Sequence, residues 1–423
     1  MKTFEMVTLP SGLTVVLAQR KQSTTATVLV LVAAGSKYEA KRVNGISHFL
    51  EHLCFKGTKK RPKSNDISSE LDGIGASYNA FTSHEFTGYY AKVDPTHLKQ
   101  AIDVVSDIYL NQIFKPEEIK KESGVIVEEL NMYEDTPRRK AFDNLTALLY
   151  GDQPAGWNIA GTKKIVTQLK KKDFEKYRSE HYVAGATTVV VSGNFKEKGT
   201  LEEIKKKFSN IRTSKKKGKI KTQEKQSKPA LSIEYKKTDQ THLLFGFRAF
   251  PYGDKRAPAL NVLATILGGS MSSRLFDVIR GKLGAAYYVN ASEDLYTDHG
   301  YLAIGVGAAN SKVKTVIKAV LSQCKNMKEK GITEKELQKA KDYIIGKTSL
   351  SLETTDELAW HFGEQHLMKG KVEQTQIMLD KIRDVSVKDV QTLAKEIFKD
   401  KNLNLAVIGP LRTKKDIIEL LRV

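Results

Sequence analysis

Apolar positions along the chain follow two periods. Residues 13–18, 26–34, 79–93, 230–235 and 242–250 are rich in Val, Ile, Thr and aromatics and are bounded by turn residues such as Gly35, which predicts strands. Helical spacing predicts helices over 64–74, 95–114 and 116–133, the last opened by Pro116. Between the first strands and these helices lies 44–57, NGISHFLEHLCFKG. Wound at 100° per residue, it puts Ile46, Phe49, Leu50 and Leu53 on one stripe and groups His48, Glu51 and His52 opposite. One face packs and the other is free for chemistry. A start at Asn44 or Ser47 and a stop at Gly57 are expected.

The pattern also repeats. KKDFEKYRSEHYVAGATTVVVSGNF from Lys171 and VKDVQTLAKEIFKDKNLNLAVIGPL from Val387 align without a gap at a constant offset of 216, Asp173 falling on Asp389 and Gly193 on Gly409. Each reads as a helix followed by a buried strand ending in Gly. The expectation is an α+β chain of two homologous α/β-roll domains, each a mostly antiparallel sheet with helices packed on one face. Their expected bounds are 1–212 and 230–423. The basic, almost wholly polar stretch 213–229 between them reads as a linker.

Composition narrows the function. The 423 residues carry 69 Lys+Arg against 49 Asp+Glu, a net +20, but the lysine runs (170–172, 205–207, 215–217) have no interleaved aromatics on which bases could stack. No nucleic-acid partner is expected. No stretch approaches the ~18 consecutive apolar residues of a membrane span, and MKTFEMVTLPSG lacks the features of a secretion signal, so no membrane contact and a cytoplasmic location are expected. Two cysteines, Cys54 and Cys324, do not make a disulfide framework. Cys54 reads equally as a reactive thiol or a packed hydrophobe.

His48 and His52, one helical turn apart, can share one tetrahedral Zn²⁺. Glu51 sits beside them, suited to act on the metal's water. A surface helix with two solvated histidines is the plain alternative. A third ligand is required, and Glu122, Glu128 and Glu129 compete for it. On the 116–133 helix Ile119, Ile126, Leu130 and Tyr133 define the packed stripe, with Glu122 and Glu129 along its edge and Glu128 toward solvent. That selects Glu129, with Glu122 beneath it to orient His48 or His52; ordinary surface glutamates on a solvated helix are the plain alternative. LGGSMSS lacks the lysine of a phosphate loop, and His84, His361 and His366 read as structural or surface residues.

His-x-x-Glu-His followed by a helix carrying Glu-Glu resembles the inverzincin zinc peptidases, the family of pitrilysin, insulin-degrading enzyme and mitochondrial processing peptidase. HFLEHLCFKGT from His48, NAFTSHEFTGYYAKV from Asn79, ESGVIVEELNMYEDTP from Glu122, AGWNIAGT from Ala155 and LGGSMSSRLFDVIRGKLGAAYYV from Leu267 extend the likeness over nearly the whole chain. The resemblance implies a zinc metalloendopeptidase with zinc on His48, His52 and Glu129 and Glu51 as general base; the spacing from His52 to Glu129 is about one residue longer than in some relatives, which keeps Glu128 as the fallback ligand. It further implies that Arg280 and Tyr287 assist the developing oxyanion, and that peptide substrates add to the edge formed by Asn79, Ala80, Phe81 and Thr82. The second half has no such motif, so one Zn²⁺ per chain is expected. Relatives of about twice the length close into a clamshell, which implies a homodimer here, or a heterodimer with a related subunit. Some relatives are non-catalytic assembly subunits, the alternative reading.

Overall fold

The strand-type runs pair into two separate sheets. The computed structural model describes residues 4–423. The first sheet holds β1 (Glu5–Thr8), β2 (Thr14–Gln19), β3 (Ala26–Val32), β4 (Ser77–Thr82), β5 (Thr87–Val93) and β6 (Thr187–Gly193), in the order β1-β2-β6-β3-β5-β4. The second holds β7 (Ala230–Tyr235), β8 (Gln240–Ala249), β9 (Ala286–Leu295), β10 (Gly300–Ala309) and β11 (Leu403–Gly409), in the order β7-β11-β8-β10-β9. Neighbours are antiparallel except β2 with β6 and β7 with β11. The repeat therefore reappears as topology. β6 and β11, each preceded by its own helix (Lys171–His181 and Val387–Ile397), both sit between one parallel and one antiparallel neighbour.

Every residue of β3 is buried, which is why its sequence, ATVLVLV, is apolar without alternation. Val28, Val30 and Val32 point into a core shared with the helices Ile46–Leu53, Leu98–Leu110 and Lys171–His181. Leu29 and Leu31 point the other way, onto Leu358, Ala359 and Phe362 of the helix Thr355–Lys369. Gly363 lets that helix lie close, since a Cβ there would meet Leu31 Cδ1 at 2.4 Å. The second sheet is built alike. Its main core joins Phe245, Phe247 and Ile304 to Val313–Glu329 and Val387–Ile397, while Leu244, Ala303 and Ala406 face Leu145 and Leu149 of Pro137–Tyr150. Each sheet thus has its main helical layer on one face and a single helix on the other.

Those single helices come from the opposite half of the sequence. One compact unit comprises the chain up to Asn131, Trp157–Ile220 and Ser349–Gln374; the other comprises Met132–Gly156, Lys221–Thr348 and Thr375–Val423. The units therefore do not follow the linear division 1–212 and 230–423, although residues 212–229 do lack helix and strand. Arg20 Nη1 donates to Leu352 O at 2.7 Å and Lys92 pairs with Asp356 at 2.8 Å, fixing the start of the exchanged helix on the first sheet.

Two local differences from the expected elements bear on the site. The run 79–93 is a hairpin rather than one strand, because the Ser83 backbone N–H donates to Phe86 O at 2.8 Å and its hydroxyl accepts from the Glu85 and Phe86 backbone N–H groups. His84 consequently lies in a turn, bonded to Ser36 Oγ at 2.8 Å. The metal-type helix ends at Leu53, four residues before Gly57. Among the described residues no helix is long and apolar enough to cross a membrane.

The exchange makes a testable demand on the first half. Residues 1–212 expressed alone lack Thr355–Lys369 and leave Val16, Leu29, Leu31 and Val190 uncovered. That fragment should bind a hydrophobic dye and aggregate, and fusing 349–374 to it through a flexible linker should lower dye binding to the part due to Leu145 and Leu149, which stay uncovered without the second sheet. A monomeric, dye-silent fragment 1–212 would contradict the packing.

Candidate metal centre

The eight-residue helix Ile46–Leu53 is too short to persist alone, and its apolar stripe anchors it. Ile46, Phe49 and Leu50 are 0% exposed and Leu53 1%, a burial that contributes about 1.5–3 kcal/mol per side chain. Its N-terminus is closed by Gly45 in the left-handed region (φ 95°), where a Cβ would meet Ala160 O at 2.6 Å. The AGWNIAG segment therefore crosses the helix start at backbone distance. The fully buried Glu39 carboxylate accepts from Gly45 N at 2.7 Å, Ser47 N at 2.8 Å and Asn44 Nδ2 at 2.9 Å, satisfying donors that a helix start leaves open. Burial outweighs those donors and pushes the Glu39 carboxyl up to about 6.

On the opposite face His48 and His52 stand with ring centroids 4.7 Å apart. The helix Pro116–Asp135 supplies the carboxylate: Glu129 Oε2 lies 3.6 Å from His48 Nε2 and 3.3 Å from His52 Nε2. Tetrahedral ligands on bonds of about 2.0–2.2 Å lie about 3.3–3.6 Å apart, so this donor set fits zinc. The ligand atoms of the three residues all lie within 4.8 Å of one another. Glu128 is exposed and bonded by Asn131 Nδ2 at 3.2 Å, outside the group.

Glu122, two turns below Glu129, is 5% exposed and holds its Oε2 3.3 Å from His52 Nδ1. A Nδ1–H donated there leaves Nε2 free for a cation. Burial alone would depress the His52 pKa, but Glu122 and Glu129 outweigh it and push it up to about 9, so a cation taking Nε2 has to displace a proton there. Glu51 Oε2 is buried and has no hydrogen-bond partner among the described residues. An orphaned buried acceptor of this kind is uncommon in a folded protein. Cys54 is 0% exposed, with burial first and the Glu51 charge second raising its thiol well above the ordinary range; it packs as a hydrophobe.

The remaining candidates divide between the units. Asn79, Ala80, Phe81 and Thr82 lie on β4, the outermost strand of the first sheet, and Thr82 Oγ1 reaches Ser47 O at 3.5 Å, next to His48. Arg280 and Tyr287 belong to the second unit, where Tyr287 is 73% exposed on edge strand β9 and Arg280 lies over the Phe276 ring at 5.1 Å. Two contributors went unread in the sequence. Glu39 carries no local signal, because its bonds to the helix start depend on the intervening turns. Lys56, whose Nζ lies 2.7 Å from Glu122 Oε1, stands in the motif's own FKG and was signalled only by its place after His52.

Comparison with known proteins settles the family. Residues 14–163 match "Insulinase (Peptidase family M16)" and residues 168–344 match "Peptidase M16 inactive domain". An uncharacterized zinc protease of Bacillus subtilis is 34% identical, the alignment covering 95% of this chain and 97% of that protein. The chain belongs to the M16 peptidase family. A second M16-type relative, an uncharacterized zinc protease of Streptomyces coelicolor, is 33% identical over 98% of this chain and 91% of its own length. Two solved structures share the fold. A protease from Helicobacter pylori has a TM-score of 0.91 at 24% identity, covering 96% of this chain and 99% of its own. An M16 inactive-domain protein from Pseudomonas fluorescens has 0.89 at 16%, covering 97% and 99%.

Glu39 offers a test of how the metal-type helix is held. Its folded pKa of about 6 lies above the ordinary 4.5, so this increment of stability is complete below about pH 4.5 and is lost as pH rises through about 6. Glu39→Ala removes that component of the pH dependence. It also leaves buried donors unpaired and should lower stability by about 2–4 kcal/mol. Thermal melts from pH 4.5 to 7.5 check both, and an unchanged melt would contradict the capping role.

Proposed function

We propose that the chain is a zinc-dependent metalloendopeptidase hydrolysing peptide bonds in peptides or unfolded segments, with one zinc per chain on His48, His52 and Glu129. The observation that carries this is the meeting of two imidazole Nε2 atoms at one Glu129 oxygen, beside the unpartnered Glu51 Oε2. When bound, the zinc supplies Lewis acidity, lowering the pKa of a water and polarising a carbonyl. Glu51 takes the water's proton at Oε2 and returns it to the leaving amine. Glu122 holds His52 in the tautomer that offers Nε2.

The free outer edge of β4 supports main-chain pairing with an extended peptide along Asn79, Ala80, Phe81 and Thr82, a mode that tolerates many side chains. The exposed Arg280 and Tyr287 serve as donors to the oxyanion. In this reading the working form is a homodimer, Arg280 and Tyr287 of one copy completing the site of the other within a closed chamber, in the cytoplasm. The reading as a non-catalytic assembly subunit is disfavoured, because the inverted motif and its distal glutamates are intact.

Glu51→Gln tests the reaction. It should retain about one zinc per chain by elemental analysis and lose 10²–10⁴-fold in turnover of a mixed peptide library, on the usual scale of general-base removal. Full activity in that variant would refute the assignment of Glu51. A chelator should abolish turnover of the native chain and added zinc restore it.

The shared site is tested by mixing. Glu51→Gln and Arg280→Ala chains, each inactive alone, should recover part of the native activity after subunit exchange, in particles of about twice 47.3 kDa. No recovery from particles demonstrably containing both variants would exclude a site completed in trans.

A further inference from the structure

We propose that Lys56 is a positioning residue for the metal centre, tying the end of the histidine-bearing helix to Glu122 so that His52 and Glu129 meet; the inference rests on the zinc reading above. The residues form a chain of contacts. Lys56 Nζ lies 2.7 Å from Glu122 Oε1, the other oxygen of Glu122 lies 3.3 Å from His52 Nδ1, and His52 Nε2 lies 3.3 Å from Glu129 Oε2. Glu122 and Glu129 stand on one helix, seven residues apart, and His52 and Lys56 on one short segment, four apart. The Lys56–Glu122 pair therefore closes a frame whose other side is the candidate metal site.

The lysine is itself held. Lys56 N donates to Leu53 O at 3.1 Å, and the next residue, Gly57, has φ 125° and its carbonyl accepts from Ile113 N at 3.1 Å. A Cβ at Gly57 would meet Pro62 O at 2.9 Å, so the backbone after Lys56 is shaped by close packing. The Glu122 side chain is only 7% exposed and that of Lys56 29%, leaving the pair half shielded from the water that weakens surface pairs. A carboxylate so anchored holds an imidazole ring more narrowly than one free to rotate.

Charge and position predict opposite results. If Lys56 acted only as a nearby cation, removing it would relieve repulsion and tighten zinc binding. If it positions Glu122, removal loosens the His52 ring and weakens binding. The measurement is zinc affinity by competition with a chromophoric chelator, with the visible spectrum of the cobalt-substituted chain as a geometric readout. Lys56→Met should bind zinc at least tenfold more weakly, the lower end for loss of a partner behind a ligand, and should alter the cobalt bands. Lys56→Arg, which keeps the pair, should stay within about threefold of the native affinity on the same scale. Should Lys56→Met melt earlier than the native chain, Lys56→Gln against Lys56→Arg decides the same question. Uncharged variants that bind zinc as tightly as the native chain, or tighter, overturn the proposal while leaving the zinc reading intact. A native chain that takes up no zinc overturns both.

Discussion

An eight-residue helix has to be buried on one face while it carries His48, Glu51 and His52 on the other, and the first unit is built to meet that demand. Four apolar side chains sink into the core beneath β4 and β5, while two imidazoles and a carboxylate are left on the far side. Such a segment has little helical stability of its own. Its position is set from outside by the Glu39 carboxylate at the start, by the close crossing near Ala160, and by the Lys56–Glu122 pair just beyond its end. The long Pro116–Asp135 helix then needs to deliver only one oxygen to complete the donor set.

The two units share one topology but not one chemistry. After β3 comes the helix with His48, Glu51 and His52; after the corresponding β8 comes Ala257–Ala264, whose Leu260, Val262 and Leu263 are buried and whose polar Asn261 donates to Glu293 at 2.5 Å. The second unit thus keeps the packing half of the helix and lacks the ligand half. Its exposed Arg280 lies on the segment leading into edge strand β9, and its exposed Tyr287 near the start of that strand. A duplicated fold can keep its topology while its surface chemistry differs, because the core dictates the topology.

Much of this was legible in the chain. Helical spacing marks the stripe Ile46, Phe49, Leu50 and Leu53, all at most 1% exposed, and it sets Glu129 on the packed edge of its helix apart from Glu128, which lies in solvent. The constant offset of 216 anticipated that Lys171–His181 and Val387–Ile397 would precede equivalent strands. What escaped was non-local. Periodicity shows that Thr355–Lys369 has an apolar face but not which sheet covers it, so the exchanged helices were invisible. The turn Ser83–Phe86 hides among strand-forming residues, because the hydroxyl that closes it belongs to a serine between Thr82 and His84. Glu39 and Lys56 look like ordinary charges until the fold brings their partners to them.

The proposed metal centre is one zinc gripped by His48, His52 and Glu129. X-ray absorption at the zinc edge of the purified, zinc-loaded chain tests it most directly. One zinc per chain should appear in a shell of nitrogen and oxygen at about 2.0–2.2 Å, with outer scattering from two imidazoles and no sulfur. Absence of bound zinc, or a sulfur ligand at about 2.3 Å, would contradict it.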